Sequence, residues 1–419
     1  MKHSRPRHPA VQALLRDPLI LPFYIPSFVT FLGHGILSPV LPLYAEEFGA
    51  SYAWVGAFMS AQALGMLLTD LPSGLLLRRI GLRRATVIGL AMMVAMEIAY
   101  FWAGSIQEAF AYRLLSGFGS ALFGVARHAY VTEHASVASR GRALALFGGL
   151  IRAGRFLGPP IGGLVAVRWG MRVPFVVAGV VGSPAILMVL LFLRRDGAPR
   201  GSKLDHVRDP AAVPSGRLLP LLRGQAKLLF PASIGQIFVQ MIRSGREVVI
   251  PLYAAVALGL DVGQIGLLLG IASAVEMVMF WPAGWLMDNL GRKYALIPSF
   301  SIQAVAMACV PLTGGFVGLL ACAAAVGLGN GLTSGAMMVL GSDLAPRGAR
   351  AEFLGVWRLI GDLGGTAGPA AVGFVAEALT LPMAALTMAG SGLLATLIFG
   401  FALPETLQRE VEVPSASVG

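Results

Sequence analysis

Residues 74–84 read Gly-Leu-Leu-Leu-Arg-Arg-Ile-Gly-Leu-Arg-Arg, and residues 284–293 read Gly-Trp-Leu-Met-Asp-Asn-Leu-Gly-Arg-Lys. Set 210 residues apart, the two coincide at Gly74 and Gly284, Leu76 and Leu286, Gly81 and Gly291. The same shift lays Gly117 and Gly119 on Gly327 and Gly329, and Glu133 and Arg140 on Asp343 and Arg350. It lays Gly154, Gly158, Pro159 and Gly163 on Gly364, Gly368, Pro369 and Gly373. So many coincidences at one shift mark an internal repeat, with each copy spanning about half the chain.

Each copy is built of apolar runs. The chain has 419 residues, 56% hydrophobic and 13% charged, where soluble proteins carry about 25% charged residues. Runs such as Ala85–Ala103, Phe175–Leu193, Ala295–Leu312 and Pro382–Leu403 are each long enough to cross about 30 Å of hydrocarbon. Counted between polar breaks there are twelve, six per copy. The expected fold is an all-α membrane protein with twelve transmembrane helices in two six-helix bundles related by pseudo-two-fold symmetry. The expected division is a tail over 1–18, a bundle over 19–193, a linker over 194–227, a second bundle over 228–403 and a tail over 404–419. Parallel repeats of this kind place a solute path between them, near the midplane.

The net charge of +11 would suggest a nucleic-acid surface, but its distribution argues otherwise. With a cytoplasmic N-terminus, the inner connections hold Arg78, Arg79, Arg83 and Arg84, eight basic residues between Arg194 and Lys227, and Arg292 and Lys293. The outer connections hold only Arg168 and Arg172. This is the positive-inside bias, which puts both termini in the cytoplasm and the bilayer, not nucleic acid, as partner. Cys309 and Cys322 lie within helices and imply no disulfide framework. The polar, basic first eighteen residues precede a long apolar segment without a small-residue cleavage site, so that segment reads as a retained helix.

The stretch Gly284 to Lys293 resembles the signature loop of the major facilitator superfamily, and the resemblance covers the chain from about Ile20 to Glu405. In that family the loop is a cytoplasmic latch. Its glycines allow a tight turn and close helix approach, while Asp288 caps a neighbouring helix and pairs with Arg. The first copy departs from the pattern: Arg78 stands where the carboxylate belongs, and Leu82 replaces a basic residue beside Arg83. That leaves its latch weaker or differently paired. Glu133 with Arg140, and Asp343 with Arg350, resemble the acidic and basic partners of the two latches. Arg113-Leu-Leu-Ser-Gly117-Phe-Gly119 resembles the family's fourth-helix motif, whose Arg is implicated in proton transfer. Gly154-Arg-Phe-Leu-Gly158-Pro159-Pro-Ile-Gly162-Gly163 resembles the fifth-helix motif of antiporters, where small residues permit close packing. A bacterial inner-membrane carrier acting as a monomer is what the resemblance implies.

Charges remain inside the apolar segments. They are Arg113, Arg127, Arg152, Arg155, Arg243, Arg246 and Arg358 against Asp70, Glu97, Glu247, Glu276 and Asp362, with His34 and His128. Each is costly unless it pairs or faces water. Arg243 with Glu247, and Arg358 with Asp362, are four apart and can pair within one helix. Two readings stay open: a set of internal salt bridges, or a positive cavity with a carboxylate that carries a proton. Asp362, Glu276, Glu247 and His34 are the carrier candidates, and Asp70, two residues before Pro72, reads as gate structure. There is no metal-ligand cluster, no nucleophile elbow and no P-loop. The expectation is therefore a proton-coupled carrier without cofactor and without enzymatic activity. It would export small drug-like or amphiphilic molecules; a symporter or exchanger of small organic anions is the alternative.

Overall fold

The computed structural model describes residues 20–134, 140–193, 224–333, 335–346 and 350–407. The first tail, the linker up to residue 223, the last tail beyond residue 407, and the side chains of Glu133, Arg140 and Arg350 lie outside the described residues.

Among the described residues, twelve helical units follow one another. In the first half they are α1 (Ile25–Leu37, continued by Leu41–Glu46), α2 (Tyr52–Ile80), α3 (Leu82–Ala99), α4 (Ile106–His134), α5 (Arg140–Trp169) and α6 (Val173–Phe192). In the second they are α7 (Ala226–Leu252), α8 (Val262–Val278, continued by Phe280–Asn289), α9 (Arg292–Cys309), α10 (Phe316–Leu332, continued by Ala336–Leu344), α11 (Arg350–Ala378) and α12 (Leu381–Leu397). Local signals set several ends. Asp261 accepts from the N–H of Gly263 and Gln264 at 2.7 and 3.0 Å, and Gln264 returns a bond to its N–H, a capping box that starts α8. Gly81 (φ 82°) and Gly291 (φ 130°) take up backbone angles that side chains disfavour, and so turn α2 into α3 and α8 into α9.

Eight of these units are long and apolar enough to cross a membrane by length and composition. Of the other four, α1 is broken after Leu37, while polar, charged and small residues dilute the apolar runs of α2, α5 and α7. Those same four helices supply much of the interior polar surface described below. Apolar side chains face outward along the bundle, Val278, Trp281 and Phe401 among them. Exposed aromatic residues mark both ends, with Trp54, Trp102 and Trp169 at one and Trp281, Trp285 and Tyr294 towards the other, as at a bilayer interface. The face where the described chain begins and ends is called terminal below, and the opposite one distal.

The two halves meet along α2 against α11 and α5 against α8, with the end of α1 touching α7. Both seams are built on glycine. A Cβ on Gly56 would lie 2.8 Å from the Gly373 Cα and 2.5 Å from the Pro369 carbonyl oxygen. A Cβ on Gly266 would lie 3.0 Å from the Gly163 Cα and 2.4 Å from the Pro159 carbonyl oxygen. Gly56 and Gly266, and Gly163 and Gly373, are repeat partners at the 210-residue shift, so the second seam is the image of the first. Close to the distal face, Val40, Leu41 and Leu43 of α1 share one apolar core with Val249, Leu252 and Tyr253 of the other half.

Within the first half the fifth-helix glycines do what close packing requires. A Cβ on Gly158 would meet the Gly35 backbone at 2.4 and 2.5 Å, and those on Gly154 and Gly162 would strike the backbone of α1. Alanine for glycine in a helix ordinarily stabilises by about 1 kcal/mol. Gly149→Ala, where a Cβ meets nothing within 4 Å, is expected to raise the melting temperature of the detergent-solubilised protein. Gly158→Ala is expected to lower it, since backbone cannot yield as a side chain can, with overpacking costing about 1–3 kcal/mol.

Candidate functional site

Between the halves lies a cavity of about 210 Å3, which continues through Arg152, Arg155, Arg246, Glu247 and Glu276 into a second lobe of about 370 Å3. Apolar and small residues such as Leu37, Leu41, Met59, Leu269 and Ala272 form much of the first lobe. The second runs towards the terminal face past Gln240, Arg243, Asn330 and Thr333.

Of the charged residues expected inside the membrane, His34, Arg113, Arg152, Arg155, Arg243, Arg246, Glu247 and Glu276 line this space. Arg246 meets Glu276 at 3.2 Å across α7 and α8. Arg243 does not pair with Glu247 four residues on. Its Nη2 donates to the Thr333 hydroxyl at 2.8 Å instead, where the interruption of α10 lets that side chain reach it. Arg113 stacks over the Phe58 ring at 5.3 Å and Arg152 over Phe280 at 4.4 Å, a cation–π arrangement that offsets part of the cost of a guanidinium away from water. Glu97, which no sequence pattern singled out as a site residue, is buried at 5% exposure in the wall of the cavity, 3.9 Å from the His34 Nε2. Gln62 approaches the same imidazole nitrogen at 3.4 Å.

Arg127, Arg358 and Asp362 stand outside the cavity lining. Arg127 packs over Phe123 on its own helix at 5.5 Å. Arg358 and Asp362 belong to the α2–α11 seam. Arg358 grips Asp70 with two bonds, Nε to Oδ2 at 3.1 Å and Nη2 to Oδ1 at 3.2 Å, and lies 3.8 Å from Asp362 one turn along α11. Two carboxylates thus share one guanidinium across the boundary between the halves. The expected pairing of Arg358 with Asp362 is present, but the tighter partner comes from the opposite half.

At the terminal face the two signature loops differ. Gly81 and Gly291 make the turns, whereas a Cβ on Gly74 or Gly284 would meet nothing within 4 Å. Neither Arg78 nor Asp288 forms an ion pair or hydrogen bond among the described residues. Arg83 bonds the Leu190 carbonyl of α6. The cap on α9 comes from Glu405 instead of Asp288: its carboxylate accepts from the N–H of Arg292 at 2.9 Å and of Lys293 at 3.0 Å. Arg292 in turn pairs with Asp343 at 3.0 Å, which also accepts from Thr406, and Lys293 donates to the Gly400 carbonyl. Chain beyond α12 therefore ties down the α8–α9 turn and the end of α10.

Burial alone would raise the Glu405 pKa, but bonds from the N–H of Leu407, Arg292, Lys293 and Thr406 hold it below the ordinary 4.5. A lowered folded-state pKa means stability that is present above the unfolded value and lost as pH falls through the folded one. Glu405→Ala is thus expected to lower the melting temperature at pH 7. Its difference from the wild type should shrink steadily once pH drops below 4.5.

The model of the Major Facilitator Superfamily matches residues 23–245 and 232–417. An uncharacterized MFS-type transporter of Methanocaldococcus jannaschii is 23% identical over 356 residues, 85% of this chain and 90% of that one. Multidrug resistance protein 2 of Bacillus subtilis is 25% identical over 269 residues, 64% of this chain and 66% of its own. The quinolone resistance protein NorA of Staphylococcus aureus is 25% identical over 174 residues, 42% and 45% of the two chains. Among solved structures, a peptide transporter POT in complex with sulfate superposes with a TM-score of 0.72 at 16% identity, covering 91% of this chain and 93% of that one. With the repeat, the paired seams and the central cavity, these matches make the chain a member of the major facilitator superfamily, a multi-pass membrane transporter and not an enzyme.

Proposed function

We propose that the protein exports small amphiphilic molecules in exchange for protons, by opening the central cavity alternately to either side of the membrane. The observation that carries this reading is the cavity itself, set between the halves, partly apolar, with a few ionisable groups reaching into it. Relatives named for multidrug and quinolone resistance support export of drug-like compounds. The fifth-helix glycines, packed against α1, agree with the antiporter motif they resemble. Protons would be carried at the Asp70–Arg358–Asp362 cluster on the seam or at Glu97 beside His34, both places where a carboxylate can change charge next to a moving boundary. The terminal-face loops, with Gly81, Arg83, Gly291, Arg292 and Lys293, would act as the cytoplasmic gate. Basic residues at the terminal face support a cytoplasmic position for both termini in a bacterial inner membrane, with the single chain as the working unit.

One observation favours the second reading, import or exchange of organic anions: five Arg line the cavity against three Glu. Reconstituted vesicles with an imposed pH gradient decide between them. Export predicts that an amphiphilic dye moves against the direction of proton flow, and that collapsing the gradient with a protonophore stops it. Movement of organic anions alone, in the same direction as protons, would replace it with the second reading.

A further inference from the structure

Most charges in the cavity are already answered by the protein. Arg246 has Glu276 at 3.2 Å, Arg243 has the Thr333 hydroxyl at 2.8 Å, and Glu97 has His34 at 3.9 Å. Two are not. Arg155 of α5 and Glu247 of α7 are both exposed, both line both lobes, and neither makes a hydrogen bond or an ion pair within 4 Å among the described residues. They come from opposite halves.

A charged side chain that bonds no protein group keeps its hydrogen-bonding capacity for a ligand, and an ion pair formed there away from bulk water is strengthened. A cation answers Glu247 and leaves Arg155; an anion does the reverse; a neutral molecule answers neither. We propose that Arg155 and Glu247 are the two poles of a substrate site for zwitterionic amphiphiles, an acid group lying at Arg155 and an amine at Glu247. The apolar body rests against Leu37, Met59 and Leu269. Bidentate hydrogen bonding suits a guanidinium to a carboxylate, while a carboxylate accepts readily from an ammonium. A ligand bound at both poles also spans the two halves, so its charge separation and its length are read together.

This inference rests on the export reading, but it is tested by binding alone. The probes are a fluorescent piperazinyl quinolone acid, its methyl ester, which lacks the negative pole, and its N-acetyl derivative, which lacks the positive one. Binding to the full-length protein in lipid nanodiscs is followed by anisotropy. The acid should bind at least tenfold more tightly than either blocked form. Arg155→Gln should weaken the acid to the level of the ester while leaving the ester unchanged. Glu247→Gln should do the same with respect to the N-acetyl form. Arg155→Lys and Glu247→Asp, which keep the charges, should retain the preference for the acid and rule out a general loss of structure. Equal binding of the three probes, a uniform loss across them in either variant, or no binding by any would overturn the assignment. The export reading fails differently, by absence of dye flux under a pH gradient, whatever the binding pattern.

Discussion

Leucine at Gly56 is expected to slow flux by about tenfold or more while the protein still folds. The Cβ alone would press within 2.8 Å of the Gly373 Cα and 2.5 Å of the Pro369 carbonyl oxygen, and the seam cannot close over a larger side chain. Overpacking costs about 1–3 kcal/mol. Because the cost falls only on the state in which this seam is closed, the equilibrium between states moves by roughly 5- to 150-fold. The distal face should therefore open. A lone cysteine at Ser273 in the cavity wall, in a background without Cys309 and Cys322, should become reactive towards an impermeant maleimide added from that side. Gly266→Leu should do the same, being the repeat image. Unchanged labelling in both variants would show that the glycine seams do not govern access.

The second large effect is expected at Arg358. Its removal leaves Asp70 and Asp362 facing each other at the α2–α11 boundary with no cation between them. Breaking a buried pair from one side costs about 3–5 kcal/mol, discounted here because the Arg358 side chain is 36% exposed. Arg358→Leu should give little folded protein by size-exclusion chromatography, and adding Asp70→Asn should restore much of it. Asp362→Asn spares the two-bond grip of Arg358 on Asp70, so it should fold normally. If the cluster carries the proton, the same variant loses the acceleration that a pH gradient gives to efflux. A fully gradient-driven Asp362→Asn protein would move the proton site to Glu97 and His34.

What the sequence disclosed depended on the range of the interaction. The repeat was legible because Gly158 and Gly368, like Gly163 and Gly373, each need a bare Cα at one fixed spacing, and glycine leaves no substitute. The helices and the charged interior were legible because a bilayer penalises charge wherever it lies along the chain. Partners were not. Arg243 is four residues from Glu247, yet it bonds Thr333, whose hydroxyl stands where α10 is interrupted. Glu405, by sequence one more charge in a polar tail, caps a helix that starts more than a hundred residues earlier, which no local pattern announces. Glu97 was legible as a charge inside the membrane but not as a site residue, being a lone carboxylate whose surroundings depend on α1 lying beside it.

The two glycine seams also carry a history. Each joins a position of one repeat to a position of the other, and the partners exchange when the repeats exchange. Before duplication, when two identical chains would have met face to face, a single change at the ancestor of Gly56 and Gly266 would have loosened both sides of the mouth at once. Balanced opening of the two sides would thus follow from the symmetry itself. Only after the copies were joined could the two sides drift apart, as the loops around Arg78 and Asp288 have done.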